Sequence, residues 1–248
     1  MKLLFSRFVL LLIPIFISAC VSNQTPQTPK ISHVHIGHAM TGWKTTPGKQ
    51  GLFIIAEKEA KVAAEYSDLI LQSKTLQSAK ENAKHVLHAI DPKLAQASSG
   101  TGFGFAKALS EARDHIQYAA TSPDTSENIN NKSIIFSKHV DELLSKNALI
   151  TDLGNEILAS NNLGEALILA EELNSLVQLN LNGDSTQGEL GMVQLREQIQ
   201  KMIDNEVPAY HPVEERFLFG LVRLPSGIWK FLDNADANKS LKELYEAY

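Results

Sequence analysis

The sequence predicts an all-α fold, a multi-helix bundle that follows a signal peptide and a short flexible tether. From residue 51 onward, apolar side chains recur at intervals of three and four residues, as they do on a helix with one buried face. Glycine and proline clusters divide this pattern into segments of helical length, and no window alternates as a half-buried strand does. With 44% apolar and 21% charged residues, the chain has the composition of a folded globular protein.

The first twenty residues have the pattern of an export signal. A basic start with Lys2 and Arg7 leads into an apolar stretch over residues 8–16. The next four residues, Ile-Ser-Ala-Cys, resemble the lipobox of bacterial lipoproteins, in which an aliphatic and two small residues precede a cysteine. The resemblance implies that residues 1–19 are removed and that Cys20 becomes an N-terminus carrying a diacylglycerol and an N-linked acyl chain. Such anchoring is effectively permanent, because each buried methylene contributes about 0.8 kcal/mol.

The same region also predicts in which membrane the protein is anchored. A single transmembrane helix is the alternative, but the apolar run of about twelve residues, broken by Pro14, is short against the roughly 20 residues that span a bilayer. Val21 follows the cysteine, whereas an aspartate at that position is the usual inner-membrane retention signal of Gram-negative lipoproteins. The resemblance therefore implies an outer-membrane protein that faces the periplasm.

Four regions are expected along the chain. Residues 1–19 form the signal peptide, and residues 20–50 hold the lipidated cysteine, a polar tether and an irregular His-rich segment. Residues 51–206 form the α-helical bundle, and residues 207–248 form an apolar C-terminal segment that packs on the bundle or docks a partner.

Six helices are predicted within the bundle. The clearest apolar stripe lies in the second, where successive members are three and four residues apart: Leu76, Ala79, Ala83, Val86 and Ile90. Neither glycine nor proline separates the first two helices, so one long helix and a hairpin both remain open for residues 51–91. Five of the predicted ranges are about 52–66, 68–91, 126–148, 151–181 and 189–204, and the third helix lies between the loop at 93–104 and the break at 122–124.

Eight histidines are the feature that points most directly to a function. Three of them, His33, His35 and His38, lie within six residues, and His85 and His88 lie three residues apart in the second predicted helix. Neutral imidazole is the commonest metal ligand in proteins. The remaining members are His115, His139 and His211.

The helical period predicts which of these side chains lie on the same side of a helix. His85 and His88 lie opposite the apolar stripe of their helix, with Glu81 between them. If residues 51–91 form a hairpin, the start of its first helix lies beside the end of its second. The histidines at positions 33–38, just before the first helix, then lie near His85 and His88. The pattern then predicts a zinc, copper or haem site with these ligands: His33, His35, His38, His85, His88 and Glu81. His115 and His139 lie at helix boundaries and form a second candidate pair.

The histidine patterns are also compatible with simpler roles that involve no metal. Histidines on a polar helix face are often solvated or bonded to a backbone carbonyl. A histidine cluster that only holds the N-terminal segment onto the bundle would have the same sequence pattern.

The glycine-rich residues 100–104 resemble a phosphate-binding loop in composition. Such loops follow a strand, and a predicted helix precedes this one, so we expect a connection between helices.

The composition and the motifs together define the expected function. The signal holds two of the 23 cations and none of the 28 anions, so the remaining chain has a net charge of −7, which argues against nucleic-acid binding. No catalytic motif is present. We predict a non-catalytic cell-envelope lipoprotein, held on the membrane by its lipid anchor, that binds a metal ion or haem through histidines. The alternative is a structural lipoprotein that binds an envelope protein and no cofactor.

Overall fold

Helices make up most of the part of the chain that the structure, a computed structural model, describes: residues 30–184, 186–207, 221–223 and 229–231. The all-α bundle predicted from the sequence is confirmed. Each described helix is too short or too polar to cross a membrane. The helices are α1 (Ile31–Met40), α2 (Leu52–Leu71), α3 (Leu76–Ile90), α4 (Phe105–Thr121), α5 (Glu127–Ser145), α6 (Asn147–Ala159), α7 (Leu163–Asn182) and α8 (Met192–Asp204).

Several predicted features lie outside the described residues. These are the signal peptide, Cys20 and the tether up to residue 29, together with His211 and most of the C-terminal segment. Within that segment, β1 (Leu221–Arg223) and β2 (Trp229–Phe231) pair antiparallel, with Leu221 opposite Phe231. The sequence pattern did not predict these two three-residue strands, because strands this short have no recognisable alternation.

Helix α1 corrects the prediction that residues 31–50 are irregular. Its first residues contain no side chain that caps the helix, and this absence is why the sequence did not indicate a helix start. The cap comes from the loop between α4 and α5. One carboxylate oxygen of Asp124 accepts a hydrogen bond from the backbone N–H of Ser32 at 3.0 Å, and the other accepts from the N–H of Ile31.

Residues 51–91 form a hairpin of two helices, which settles the alternative that the sequence left open. Helix α2 ends at Leu71, and Thr75 begins α3 by accepting a hydrogen bond from the N–H of Ser78 at 3.1 Å. The amide of Asn82 donates to the carbonyl of Leu69 at 3.1 Å and fixes the two helices at their junction. The predicted stripe of α3 is confirmed from Ala79 to Ile90, since its four members in that range are buried.

The predicted fifth helix is in fact two helices. Helix α6 ends at Ala159, and α7 begins after Asn162, whose side-chain oxygen accepts a hydrogen bond from the N–H of Glu165 at 2.9 Å. Asparagine at this position satisfies a backbone donor that a continuous helix would leave to an intrahelical bond. The helix predicted over residues 151–181 is therefore divided at residues 160–162.

The core lies along the alanine-rich face of α2, which packs against α3, α4 and α7. Four alanines of this face, all at most 5% exposed, let the neighbouring helices approach closely: Ala56, Ala60, Ala63 and Ala64. Larger side chains from the other helices fill the space between them, among them Phe105, Phe136 and Leu109. This packing makes α4 a rigid support for the short helix α1, which lies mainly against it.

The junction between α1 and α2 is closely packed around Gly51. A Cβ atom at this position would lie 2.5 Å from the carbonyl carbon of Met40 and 2.6 Å from the carbonyl oxygen of Ala39. These are backbone atoms and cannot rotate away. Only glycine therefore allows the end of α1 and the start of α2 to meet here.

We expect Gly51→Ala to lower the free energy of unfolding by about 1–3 kcal/mol, the usual cost of overpacking. Gly164→Ala is the matched control, because its Cβ would meet nothing closer than the Asn162 oxygen at 3.4 Å. Within a helix, replacing glycine by alanine raises the free energy of unfolding by up to about 1 kcal/mol. Urea unfolding of both variants measures the difference, and equal stability of the two would contradict the close approach.

Candidate metal centre

Helices α1 and α4 bring three imidazole rings together. His35 and His38 come from α1 and His115 comes from α4. Each can offer one ring nitrogen such that the three nitrogens lie within 4.8 Å of one another. The shortest contact joins Nδ1 of His35 to Nδ1 of His115 at 3.1 Å. Among the described residues, this is the one group of three or more potential ligands that converges in this way.

The helical period of α1 explains why these two of its histidines are selected. Residues three apart on a helix lie about 60° apart around its axis, so His35 and His38 share a side. His33 is two residues from His35 and lies about 160° away from it. On α4, His115 stands beside the buried stripe that contains Ala112 and Ile116, and it is itself only 8% exposed. The site therefore lies at the edge of the core.

Two aromatic side chains form further walls of the site. The ring of Trp43, in the loop after α1, lies 4.6 Å from the rings of both His38 and His115. Tyr118, one turn after His115 on α4, lies 5.5 Å from the ring of His35. Tyr118 is 54% exposed, so this wall faces solvent while the Trp43 side is partly covered.

The environment keeps two of the imidazoles neutral. The pKa of His115 is lowered to about 4, mainly by burial and to a smaller extent by the charge of His35, while Asp114 opposes the shift. Burial also lowers the pKa of His35, against the opposing charge of Asp124. At neutral pH both rings are therefore uncharged, and one Nδ1 donates its hydrogen to the other. Neutral imidazole is also the form that binds a metal.

The distances fit a small metal ion after a modest adjustment. Ligand nitrogens in a tetrahedral zinc site lie roughly 3.3 Å apart, because the bonds are about 2.0–2.1 Å long. The 3.1 Å contact between His35 and His115 already has this spacing, and the remaining ring nitrogens lie within 4.8 Å. Side-chain rotation of the two partly exposed histidines of α1 can close the difference.

His33 does not join this group. Its Nε2 lies 2.9 Å from a carboxylate oxygen of Glu206, just after the end of α8. The other oxygen of that carboxylate accepts hydrogen bonds from the side chains of Ser126 and Asn128 at the start of α5. Burial alone would raise the pKa of Glu206, but the hydrogen bonds from Asn128, His33 and Ser126 outweigh it and lower the pKa. Glu206 thus links α1, α5 and α8.

The structure also separates the other three predicted ligands from the site. His85 stacks on the ring of Tyr66 at 4.1 Å and bonds to the hydroxyl of Ser99 at 2.8 Å. His88 bonds to the carbonyl oxygen of Ala95 at 2.9 Å. These two histidines hold the loop after α3. Glu81 pairs with Lys84 at 2.9 Å on the exposed surface. The hairpin does form, but α1 packs on α4 instead of at the end of α3.

The partner of His35 and His38 is His115, which the sequence pattern does not indicate. The predicted pair of His115 and His139 does not form, because His139 contacts Gln198 of α8 through Nδ1. Trp43 and Tyr118 were not singled out at all. The signal that could have found the site was the helical spacing of His35 and His38, which has meaning only once residues 31–40 are known to be a helix.

The glycine-rich residues 100–104 do bind an anionic group, although it belongs to the protein itself. Glu59 of α2 is completely buried, and one of its carboxylate oxygens accepts from the backbone N–H of Thr101 at 2.9 Å and from two further N–H groups of the loop at 3.4 Å. A Cβ at Gly100, where φ is +70°, would collide with the second oxygen. The loop is thus a connection between helices, as expected, held by an internal carboxylate.

Comparisons with known proteins found no match to this chain, either among protein-family models, among curated proteins or among solved structures.

The lowered pKa of His115 predicts how the metal-free protein responds to acid. The unfolded chain binds this proton near pH 6.5, and the folded protein binds it only near pH 4. Acidification through this window therefore favours unfolding, by at most about 1.4 kcal/mol per pH unit. Denaturant unfolding of chelator-treated protein between pH 7 and pH 4 measures this loss.

The variant His115→Gln removes the titrating group and keeps a polar side chain. We expect its stability to fall less steeply than that of the wild type over the same pH range. An identical slope in both proteins would show that His115 does not titrate with a lowered pKa.

Proposed function

We propose that this protein is a cell-envelope lipoprotein that binds one transition-metal ion through His35, His38 and His115. The observation that carries the proposal is the convergence of three imidazole nitrogens from two helices. The role proposed is the binding of this ion.

Zinc or copper suits this set of donors. Imidazole is a ligand of intermediate softness that both metals accept, whereas magnesium and calcium prefer oxygen. Haem, which the histidine pattern also predicts, suits this set of donors less well. Haem iron takes at most two axial ligands, on opposite faces of a flat ring, while three imidazoles here approach a single point. We therefore propose a mononuclear zinc or copper ion.

Metal binding at this position would join the N-terminal helix to the bundle. Two of the ligands belong to α1 and the third to α4, so the ion would bridge two helices that otherwise meet through side-chain packing and the Asp124 cap. Because an ion that binds only the folded state stabilises it by mass action, the docking of α1 would become tighter when the metal is present.

The lipid anchor is proposed from the lipobox at residues 17–20. Ten residues, 21–30, separate Cys20 from the start of α1, and an extended chain spans about 3.3 Å per residue, or roughly 33 Å in all. Lys30 lies at the end of the bundle where Glu206 joins α1, α5 and α8, with its Nζ 3.9 Å from that carboxylate. On this proposal, the start of α1 lies within roughly 33 Å of the membrane surface.

The second candidate function is a structural lipoprotein that binds an envelope protein and no cofactor. It is favoured by the concentration of apolar residues between positions 217 and 232. A protein that binds no metal ion would not contradict this second candidate function.

Metal binding can be tested by titrating zinc or copper into chelator-treated protein by calorimetry. We expect one equivalent to bind, and we expect His115→Ala to weaken binding by more than about 100-fold, since even outer-shell partners of a metal contribute 10–100-fold. The double variant His85→Ala/His88→Ala is the matched control and should bind as the wild type does. Binding that survives His115→Ala, or that is lost in the control, would contradict the assignment of ligands.

The lipid anchor can be tested by mass spectrometry of protein expressed with its full leader in a Gram-negative host. We expect the mature protein to begin at Cys20 and to be heavier than its sequence by the mass of the acyl groups. Cys20→Ser should remain uncleaved and carry no added mass. A wild-type protein that retains residues 1–19 would refute the lipoprotein assignment.

A further inference from the structure

The candidate metal centre offers one protein ligand fewer than a closed tetrahedral site needs. Among the described residues, the converging group consists of His35, His38 and His115, with no fourth histidine, cysteine or carboxylate. Structural zinc sites are almost always closed by four protein ligands, whereas sites that exchange a ligand keep one position for water or another small molecule. The number of donors therefore points to an ion with one position left for a ligand from solution.

The two carboxylates that act electrostatically on this group are engaged in other contacts. Asp124 acts on His35, and Asp114 acts on His115. Both oxygens of Asp124 accept hydrogen bonds from the first backbone N–H groups of α1, and one oxygen of Asp114 accepts from Arg113 at 2.9 Å. Movement of either carboxylate onto the metal would break these contacts, so neither is a suitable fourth ligand.

The two sides of the centre differ in their access to solvent. On the inner side, His115 is 8% exposed, and the ring of Trp43 lies 4.6 Å from it. On the outer side, the ring of Tyr118 lies 5.5 Å from that of His35, and it is 54% exposed. Ile31, one turn before His35 on the same side of α1, is 51% exposed. A small molecule therefore reaches the centre from the side of His35 and Tyr118.

The charge of a bound ion favours an anion at the remaining position. All three protein ligands are imidazoles, which bind a metal in their neutral form. The ion therefore keeps its full charge and is the largest local charge in the site. An anion that bonds to it neutralises part of this charge, which no ligand of the converging group does.

We propose that the metal ion of this centre keeps one coordination position open on the side of Tyr118, where water is exchanged for a small anion or a carboxylate from solution. The incoming ligand donates a lone pair to the metal and the water leaves, so the three bonds to the protein persist and no electron is transferred. The centre can thus pass its ion to another ligand without first releasing it to solution. This inference rests on the proposed metal site and assigns it a role in exchange.

The test uses cobalt(II) as the bound metal, because its visible absorption depends on the number and geometry of its ligands. Full-length protein loaded with one equivalent of cobalt(II) is titrated with sodium azide, and sodium perchlorate at equal ionic strength is the non-coordinating control. We expect azide to change the spectrum saturably, with one azide bound per cobalt, and perchlorate to leave it unchanged. A spectrum that does not respond to azide would overturn the proposal, whereas a protein that binds no cobalt would refute the metal site on which the proposal rests.

Two variants of α4 locate the open position. Tyr118→His adds an imidazole three residues after His115, on the same side of the helix, and should fill the position so that azide no longer changes the spectrum. Gln117→His adds the same side chain two residues after His115, about 160° around the helix axis, and should respond to azide as the wild type does. Azide binding that persists in Tyr118→His, or that is lost in Gln117→His, would overturn the proposed location.

A third variant examines His211, which lies outside the described residues. We expect His211→Ala to bind cobalt and azide as the wild type does. A response to azide that appears only in this variant would show that a fourth histidine closes the intact centre, and it would overturn the proposal.

The exchange itself is measured by the rate at which a carboxylate chelator removes the cobalt. This rate should rise in proportion to the chelator concentration, because the chelator enters at the open position, and azide should slow it by occupying that position. A rate that depends on neither reagent would show that a protein ligand must leave first, and it would contradict the proposed exchange.

Discussion

Helix α1 reaches its position because both of its ends are fixed by distant parts of the chain. At its start, Asp124 accepts hydrogen bonds from its first backbone N–H groups, and His33 contacts Glu206 at 2.9 Å. At its end, Gly51 allows the backbone just before α2 to lie close against the backbone of residues 39–41. A ten-residue helix is too short to be stable alone in water, so these contacts hold it against α4. Without them, the histidines of α1 would not meet His115, and the candidate metal centre would not exist.

Internal carboxylates recur as the devices that hold this bundle together. Asp124 caps α1, Glu206 joins three helices, and Glu59 holds the loop before α4 through backbone donors. Each accepts several hydrogen bonds, which stabilise a buried or half-buried carboxylate, and Glu206 also has the ammonium group of Lys30 at 3.9 Å. Such contacts depend on geometry in a way that apolar packing does not, and they therefore specify where short segments lie on an otherwise uniform helical surface.

The contrast between prediction and structure follows from the range of the interactions involved. The apolar stripe of α3 and the end of that helix near residue 91 depend on neighbouring residues, so local sequence patterns predicted both. The cap of α1 is supplied by a residue 92 positions away from Ser32, so no local pattern could reveal that helix. For the same reason, the sequence placed His35 and His38 together, as the structure does, but it wrongly added His33 and assigned the group to the histidines of α3 instead of His115.

The central claim is that folding gathers three imidazoles from α1 and α4 around one point. X-ray absorption spectroscopy of the zinc-loaded protein measures this directly, because it counts the imidazole rings bound to the metal and the lengths of the bonds. Three imidazole nitrogens at about 2.0–2.1 Å, reduced to two in His115→Ala, are the expected result. A shell made up of oxygen atoms, or an unchanged shell in the variant, would contradict the account.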